Sequence, residues 1–237
     1  MPGTLYLVPS GLGDAPWDSY LAPRTHGIAT RLGHYIAENA RTARAELKRL
    51  GHPLPLRDIR IDEIPQRLDA QTIETLLAPL HSGTDIGLMS EAGCPAVADP
   101  GALLVRRTHE LGIRVVPLVG PSSILLGLMA SGLDGQRFAF HGYLPARDPE
   151  RGKRIQELEK ESARLQQTQI FIEAPYRNLA LFDALLARCH PRTRLCLATD
   201  LTLDSEQVTS LEIAAWRKRE APALDKRPTI FLLLSAA

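Results

Sequence analysis

Short apolar segments alternate with amphipathic stretches from the start of the chain, and this rhythm limits the possible folds more than any other property. Residues 4–8, 34–37, 59–64, 85–89 and 114–118 each read as a strand, with helical stretches between them. The clearest helix spans 69–81, where Ile73, Leu76, Leu77 and Leu80 recur at the spacing of one helical face. Strands that alternate with helices imply a mostly parallel sheet covered by helices on both faces. The segment V-P-L-V-G-P-S-S, 116–123, reads as a hinge. Beyond it, 124–131, the charged stretch 149–166 and a stretch carrying Phe182, Leu185, Leu186 and Cys189 on one face read as helices. Strand candidates there are 137–142, 169–173, 195–199, 207–213 and 229–234. No long helix separates the last three, so a mixed sheet with antiparallel pairs is predicted. The expected fold class is α/β in two domains: 1–118 with a mostly parallel sheet, and 119–237 with a mixed one.

At 237 residues and 44% hydrophobic content, the chain suits one large or two small domains with a sizeable core. Its 28 basic and 27 acidic residues nearly cancel. This excludes a global field of the kind an architectural DNA binder uses, but not an enzyme with a local basic patch. There is no run of 18 apolar residues and no charged-then-apolar leader, so the expected compartment is the cytoplasm, without a membrane partner. Cys94, Cys189 and Cys196 form no C-x-x-C pair and the seven histidines show no ligand spacing, so no metal is expected. Neither G-x-S-x-G nor G-x-x-x-x-G-K-[ST] occurs, which removes the main support for an esterase or a P-loop enzyme.

Four loops follow predicted strands: P-S-G-L-G-D (9–14), M-S-E-A-G-C-P-A-V-A-D-P-G (89–101), V-G-P-S-S (119–123) and I-E-A-P-Y-R (172–177). In an open α/β sheet such loops line a cleft at one rim. In the second loop Gly93 and Gly101 remove side-chain bulk and permit positive φ, while Pro95 and Pro100 fix the chain between them. A backbone this bare can lie against a flat, polar cofactor; ordinary turn punctuation is the plainer account of the loop on its own. The first loop is not a dinucleotide fingerprint, because Pro16 stands where the third glycine belongs. Ser122 and Ser123 suit helix caps worth about 1 kcal/mol, and can also offer a hydroxyl to a ligand.

Taken in order, G-T-L-Y-L-V-P, S-E-A-G-C-P-A-V-A-D-P-G, R-V-V-P-L-V-G-P-S-S-I-L-L-G-L-M-A-S-G-L, F-H-G-Y-L-P-A and F-I-E-A-P-Y-R resemble the tetrapyrrole methylase superfamily. Within it the chain resembles the branch that methylates the 2′-hydroxyl of a cytidine in small-subunit ribosomal RNA. The resemblance implies S-adenosyl-L-methionine bound in a cleft between two α/β domains of a homodimer, the first domain supplying the acceptor side. It places Pro9 beside the cofactor. Gly93, Cys94 and Pro95 match the family's G-D-P or G-T-P turn, with Ala96, Val97 and Ala98 along the methionine part. Ser122 matches the small residue of the P-G-P-x motif, and Ile172, Leu201 and Thr229 fall where the second domain holds adenine. The chain departs from the branch at P-S-G-L-G-D-A, where P-T-P-I-G-N-L is usual. It departs again at Ala37–Thr42, A-E-N-A-R-T in place of A-E-D-T-R-H, so that Asn39 replaces an acid. Cys94 and Val119 replace a threonine and a proline.

Methyl transfer to a ribose hydroxyl needs alignment and gains from a base, for which Glu38, Asp14, Glu91 and Arg41 are the candidate base or orienting groups. Glu38 and Arg41 could equally form a surface ion pair. Two basic patches could track phosphates or be solvated helix faces: Arg41, Arg44, Lys48 and Arg49, and Arg147, Arg151, Lys153 and Arg154. Tyr143 is the one aromatic expected to be exposed beside the second patch; Trp17 and Trp216 read as packing residues. Three functions stay open at this point: a methyltransferase on structured ribosomal RNA, one on a tetrapyrrole or another small or protein acceptor, and a cofactor-binding protein without catalysis.

Overall fold

The structure, a computed structural model, describes residues 1–236. It divides into two compact units, Met1–Ser122 and Ser123–Ala237. The division falls inside the hinge segment but at 122/123 rather than 118/119, and hydrogen bonds explain the difference. Residues 119–121 are tied to the first unit: Thr25 Oγ1 donates to the Val119 carbonyl at 2.8 Å and Cys94 Sγ to the Pro121 carbonyl at 3.4 Å.

The first unit runs β1 (Thr4–Leu7), α1 (Pro23–Ala29), β2 (His34–Ala37), α2 (Ala40–Arg49), β3 (Arg60–Glu63), α3 (Ala70–His81), β4 (Ile86–Met89), α4 (Gly101–Glu110) and β5 (Arg114–Pro117). The strands pair in the order β3-β2-β4-β1-β5, every pair parallel. Period-two alternation sorts the strand side chains onto two faces. Tyr35, Ala37 and Met89 pack with Ala43, Leu47 and Leu50 of the α2 region. Leu5, Ile36, Ile86 and Leu88 pack with Leu76, Leu77 and Leu80 of α3 and Leu104 of α4. Leu77 and Leu80 are fully buried, each contributing about 1.5–3 kcal/mol. Asp69 caps α3 by accepting from Thr72 N–H at 2.8 Å. Gly87 sits opposite Tyr35 in the sheet, and a Cβ there would lie 2.7 Å from the tyrosine ring, so the glycine makes room for the largest side chain of that face.

The second unit runs α5 (Ser123–Ser131), β6 (Phe138–Tyr143), α6 (Glu150–Leu165), β7 (Thr168–Ile172), α7 (Asn178–Arg188), β8 (Arg194–Thr199), β9 (Gln207–Glu212), α8 (Ile213–Trp216) and β10 (Thr229–Leu234). Its sheet order is β6-β7-β10-β8-β9, parallel between β6 and β7 and antiparallel elsewhere. Phe171, Leu195, Leu197, Phe231 and Leu233 face α6 and α7, packing with Ile155, Leu158, Leu181, Phe182 and Leu185. On the other face α5 lies against β10: a Cβ on Gly127 would lie 2.7 Å from Ile230 Cγ2. The strand read over 207–213 stops one residue early, because Ile213 turns into α8 and buries with Trp216. The Trp216 Nε1–H donates to the Leu195 carbonyl at 2.9 Å, which makes it a packing residue with its polar atom satisfied. Trp17 stacks on His26 with centroids 3.7 Å apart. No described helix is long and apolar enough to cross a membrane.

Candidate active site

Because all five strands of the first unit run the same way, the loops after β1, β2, β4 and β5 leave one rim. There they are knitted together. Ser10 and Gly93 form an isolated antiparallel bridge, and Ser10 Oγ donates to the Ser90 carbonyl at 2.9 Å. A Cβ on Gly120 would overlap the Pro9 ring, so the third loop closes directly onto the first. Gly93 holds φ +75°, and Ala96 and Ala98 hold φ +66° and +63°, a left-handed conformation that costs an alanine about 1–2 kcal/mol each. Asp99 offsets that cost: its carboxylate accepts from the N–H groups of Ala96 at 2.8 Å and Gly101 at 2.7 Å. The result is a rigid loop showing backbone rather than side chains, with Val97 projecting as its one large exposed apolar group. Cys94 is half-buried and burial pushes its thiol up, so it is no thiolate nucleophile.

Glu38, at the end of β2, lies near Asp99 and Glu91. Burial and the Asp99 charge raise its carboxyl above the ordinary range, against a hydrogen bond from the Glu91 N–H that lowers it. Burial likewise raises Asp99, against its two backbone hydrogen bonds. A carboxylate moved toward neutrality is a better general base than an exposed one. Asp14 is ion-paired with Arg49 at 3.1 Å, on the wall of a cavity of about 330 Å³ shared with Thr42, Glu46 and Glu91. Arg41 is exposed on the first turn of α2, and no ion pair joins it to Glu38 among the described residues. The structure thus brings Glu38 to Glu91 and Asp99, sets Asp14 on one cavity wall with Glu91, and joins neither Asp14 nor Arg41 to Glu38 by an ion pair among the described residues.

Asn39, where the resembled branch has an acid, is the N-cap of α2. Its Oδ1 accepts from the N–H groups of Arg41 at 2.9 Å and Thr42 at 3.3 Å. An asparagine does that work as well as an aspartate. Glu46 is a residue that sequence reasoning missed. It is buried on α2 and accepts from Gly11 N–H at 3.1 Å, Tyr20 O–H at 2.7 Å and Arg49 Nη1 at 2.5 Å, pinning the first loop. The only sequence signal was an acid among the buried positions of α2, i+3 from Ala43. Arg49 is consequently removed from the basic strip, because Glu46 and Asp14 already neutralise it. Arg41, Arg44 and Lys48 remain exposed and unpaired among the described residues. In the other patch Arg151 pairs with Asp148 and Arg154 with Glu157, leaving Arg147 and Lys153 exposed.

In the second unit Ile172, Leu201 and Thr229 converge at one end of the sheet. β7 ends at Ile172 and β8 at Thr199, while the antiparallel β10 starts there at Thr229. Thr229 and Thr199 touch hydroxyl to hydroxyl at 3.1 Å. Leu201 sits between Asp200 and Thr202, both at positive φ, in a turn held by Arg227 Nε and Ser205 Oγ donating to Asp200, each at 2.8 Å. Ser122 lies half-buried immediately before α5.

The sequence model of the tetrapyrrole (corrin/porphyrin) methylases matches residues 4–215. The chain is 33% identical over 221 residues to the ribosomal RNA small subunit methyltransferase I of Escherichia coli O157:H7, covering 92% of this chain and 73% of that protein. It is 31% identical over 233 residues to the protein of the same name from Xylella fastidiosa, covering 98% and 81%. Among solved structures it is similar in fold to the methyltransferase CobJ, with a TM-score of 0.64 at 16% identity over 100% of this chain and 95% of that one. It is similar also to the uroporphyrin-III-C-methyltransferase from Thermus thermophilus, with a TM-score of 0.53 at 19% identity over 99% and 93%.

Proposed function

From the premise that the chain belongs to the tetrapyrrole methylase family and is a methyltransferase, we propose that it transfers a methyl group from S-adenosyl-L-methionine to a ribose 2′-hydroxyl of ribosomal RNA. The observation that carries this reading is the likeness to ribosomal RNA methyltransferases across nearly the whole chain. The two solved relatives in fold are too distant in sequence to favour a tetrapyrrole acceptor.

The residues fit the cofactor. The Gly93–Ala98 backbone, with Gly93, Ala96 and Ala98 at positive φ, offers close approach, and the carboxylates of Glu91 and Asp99 suit a neighbouring cation. Pro9, Gly93, Cys94, Ala96, Val97, Ala98 and Ser122 of the first unit would hold it. When bound, S-adenosyl-L-methionine supplies an electrophilic methyl group on a sulfonium. The chain's own part is alignment, worth about 7–11 kcal/mol of barrier in well-oriented cases. Glu38 takes the proton of the acceptor hydroxyl, an effect of about 10²–10⁴-fold. Arg41, Arg44 and Lys48 supply the charge that holds RNA phosphates. The protein acts in the cytoplasm as a homodimer, a twofold pairing being the commonest closed assembly. Light scattering should return about twice 26.1 kDa.

The decisive experiment is mass mapping of ribose methyl marks on ribosomal RNA from cells with and without the protein. One mark should disappear on deletion and return with the wild-type chain. An unchanged map overturns the acceptor assignment.

A further inference from the structure

The second unit carries an exposed aromatic and cationic group that the chemistry above leaves unused. Tyr143 closes β6 and lies opposite Ile172, the last residue of β7. From Ile172 the chain turns at once through 173–177, which bears Tyr176 and Arg177. Tyr143 keeps 63% and Tyr176 70% of its surface in solvent. Rings this exposed gain almost nothing from burial, so packing does not account for them.

Arg177 is fixed among them. Its Nε and Nη2 donate to Glu173 Oε1 at 3.0 Å and 2.6 Å, and its guanidinium stands 5.4 Å from the centroid of the Tyr176 ring. The Glu173 side chain is wholly buried, and a buried carboxylate that loses its partner is strongly destabilising. The guanidinium is therefore a held plane and not a mobile charge. With its charge balanced by Glu173, it offers chiefly a flat face. Net positive charge stands alongside: Arg147 follows Tyr143 through the Y-L-P-A loop, and Lys153 lies on the first turn of α6, both exposed.

Flat faces beside free cations match unstacked bases on a phosphate backbone. A duplex hides its base faces and would meet only the cations. We propose that Tyr143, Tyr176 and Arg177 form a stacking platform for unpaired bases of a single-stranded RNA segment, whose phosphates run past Arg147 and Lys153. The proposal rests on the RNA reading of the site.

The test is fluorescence anisotropy of the whole chain with a short labelled oligouridylate and with an RNA duplex of equal length. Tyr143→Ala and Tyr176→Ala should each weaken single-strand binding about ten-fold or more, and the phenylalanine variants should bind as wild type. Duplex binding, and calorimetric affinity for S-adenosylhomocysteine, should be unmoved in all four. Wild-type single-strand affinity in both alanine variants overturns the platform alone. Loss of S-adenosylhomocysteine binding with oligouridylate binding intact also overturns it, assigning the tyrosines to the cofactor. A wild-type chain that binds neither RNA at low salt overturns the RNA reading and the platform together.

Discussion

Ser10 and Gly93 exchange both backbone hydrogen bonds, Ser10 N–H to the Gly93 carbonyl at 2.9 Å and Gly93 N–H to the Ser10 carbonyl at 3.1 Å. Two loops leaving parallel strands are thereby joined as an antiparallel pair, with Gly93 at φ +75° on one side. Gly93→Val places a β-branched side chain in that conformation and should abolish calorimetric binding of S-adenosylhomocysteine. Gly93→Ala should bind measurably, at a stability cost of about 1–2 kcal/mol. Two variants that both fold and bind as wild type would falsify the role of this loop.

Gly120 tests the neighbouring seam, where the third loop closes on the first. Its missing Cβ is filled by the Pro9 ring, so Gly120→Ala should destabilise by about 1–3 kcal/mol through overpacking. Chemical denaturation reads this directly.

Glu46 and Asp14 both hold Arg49, but from opposite environments. Glu46 is buried with three donors, and Glu46→Ala leaves Tyr20 O–H and Gly11 N–H without their acceptor. A loss of about 2–4 kcal/mol is expected. Asp14 is almost fully exposed, and Asp14→Ala should change stability by under about 0.5 kcal/mol. Equal effects from the two variants would show that the ion pair, and not the buried acceptor, holds the loop.

How much of this was legible follows from where the information sits. The most buried strands were readable because they are short, largely apolar runs: 34–37 and 229–234 coincide with β2 and β10. The mixed second sheet followed from the absence of crossover helices before β9 and β10. The end of β9 was not readable, since Ile213 continues the apolar pattern while its burial belongs to α8. Side-chain partnerships were the least legible. Arg49 shares helical spacing with Arg41, Arg44 and Lys48, and nothing in that spacing reveals that Glu46, one turn back, and Asp14, far off in sequence, both claim it. Tyr176 was hidden for the same reason: an aromatic in a loop does not declare its exposure.

Glu38 should set an acidic limb in the pH profile of kcat/KM. Burial and the Asp99 charge raise its carboxyl, so turnover should climb with pH through a value above the ordinary carboxylate range. Asp99→Asn removes the repelling charge and should move that limb to lower pH. Glu38→Gln should lower kcat by about 10²–10⁴-fold, erase the limb and leave cofactor affinity intact. Linkage gives a matching sign for stability. A carboxyl raised on folding contributes stability that is present below its unfolded pKa and is lost as pH rises through the folded one, so Glu38→Gln should relieve a penalty near neutral pH.

The cations separate by whether the fold has already spent their charge. Arg41 and Lys153 are exposed and unpaired among the described residues, and if they hold phosphates each alanine variant should reduce the salt slope of RNA binding by about one, across sequences. Arg49 looks equivalent in sequence, but Glu46 and Asp14 neutralise it at 2.5 Å and 3.1 Å. Arg49→Ala should therefore leave the salt slope unchanged while costing stability. Filter binding over a range of salt, run beside denaturation of the same variants, distinguishes the two behaviours. A slope that falls equally for all three would mean that RNA displaces the carboxylates from Arg49, and would extend the binding face toward the Gly11–Asp14 cavity.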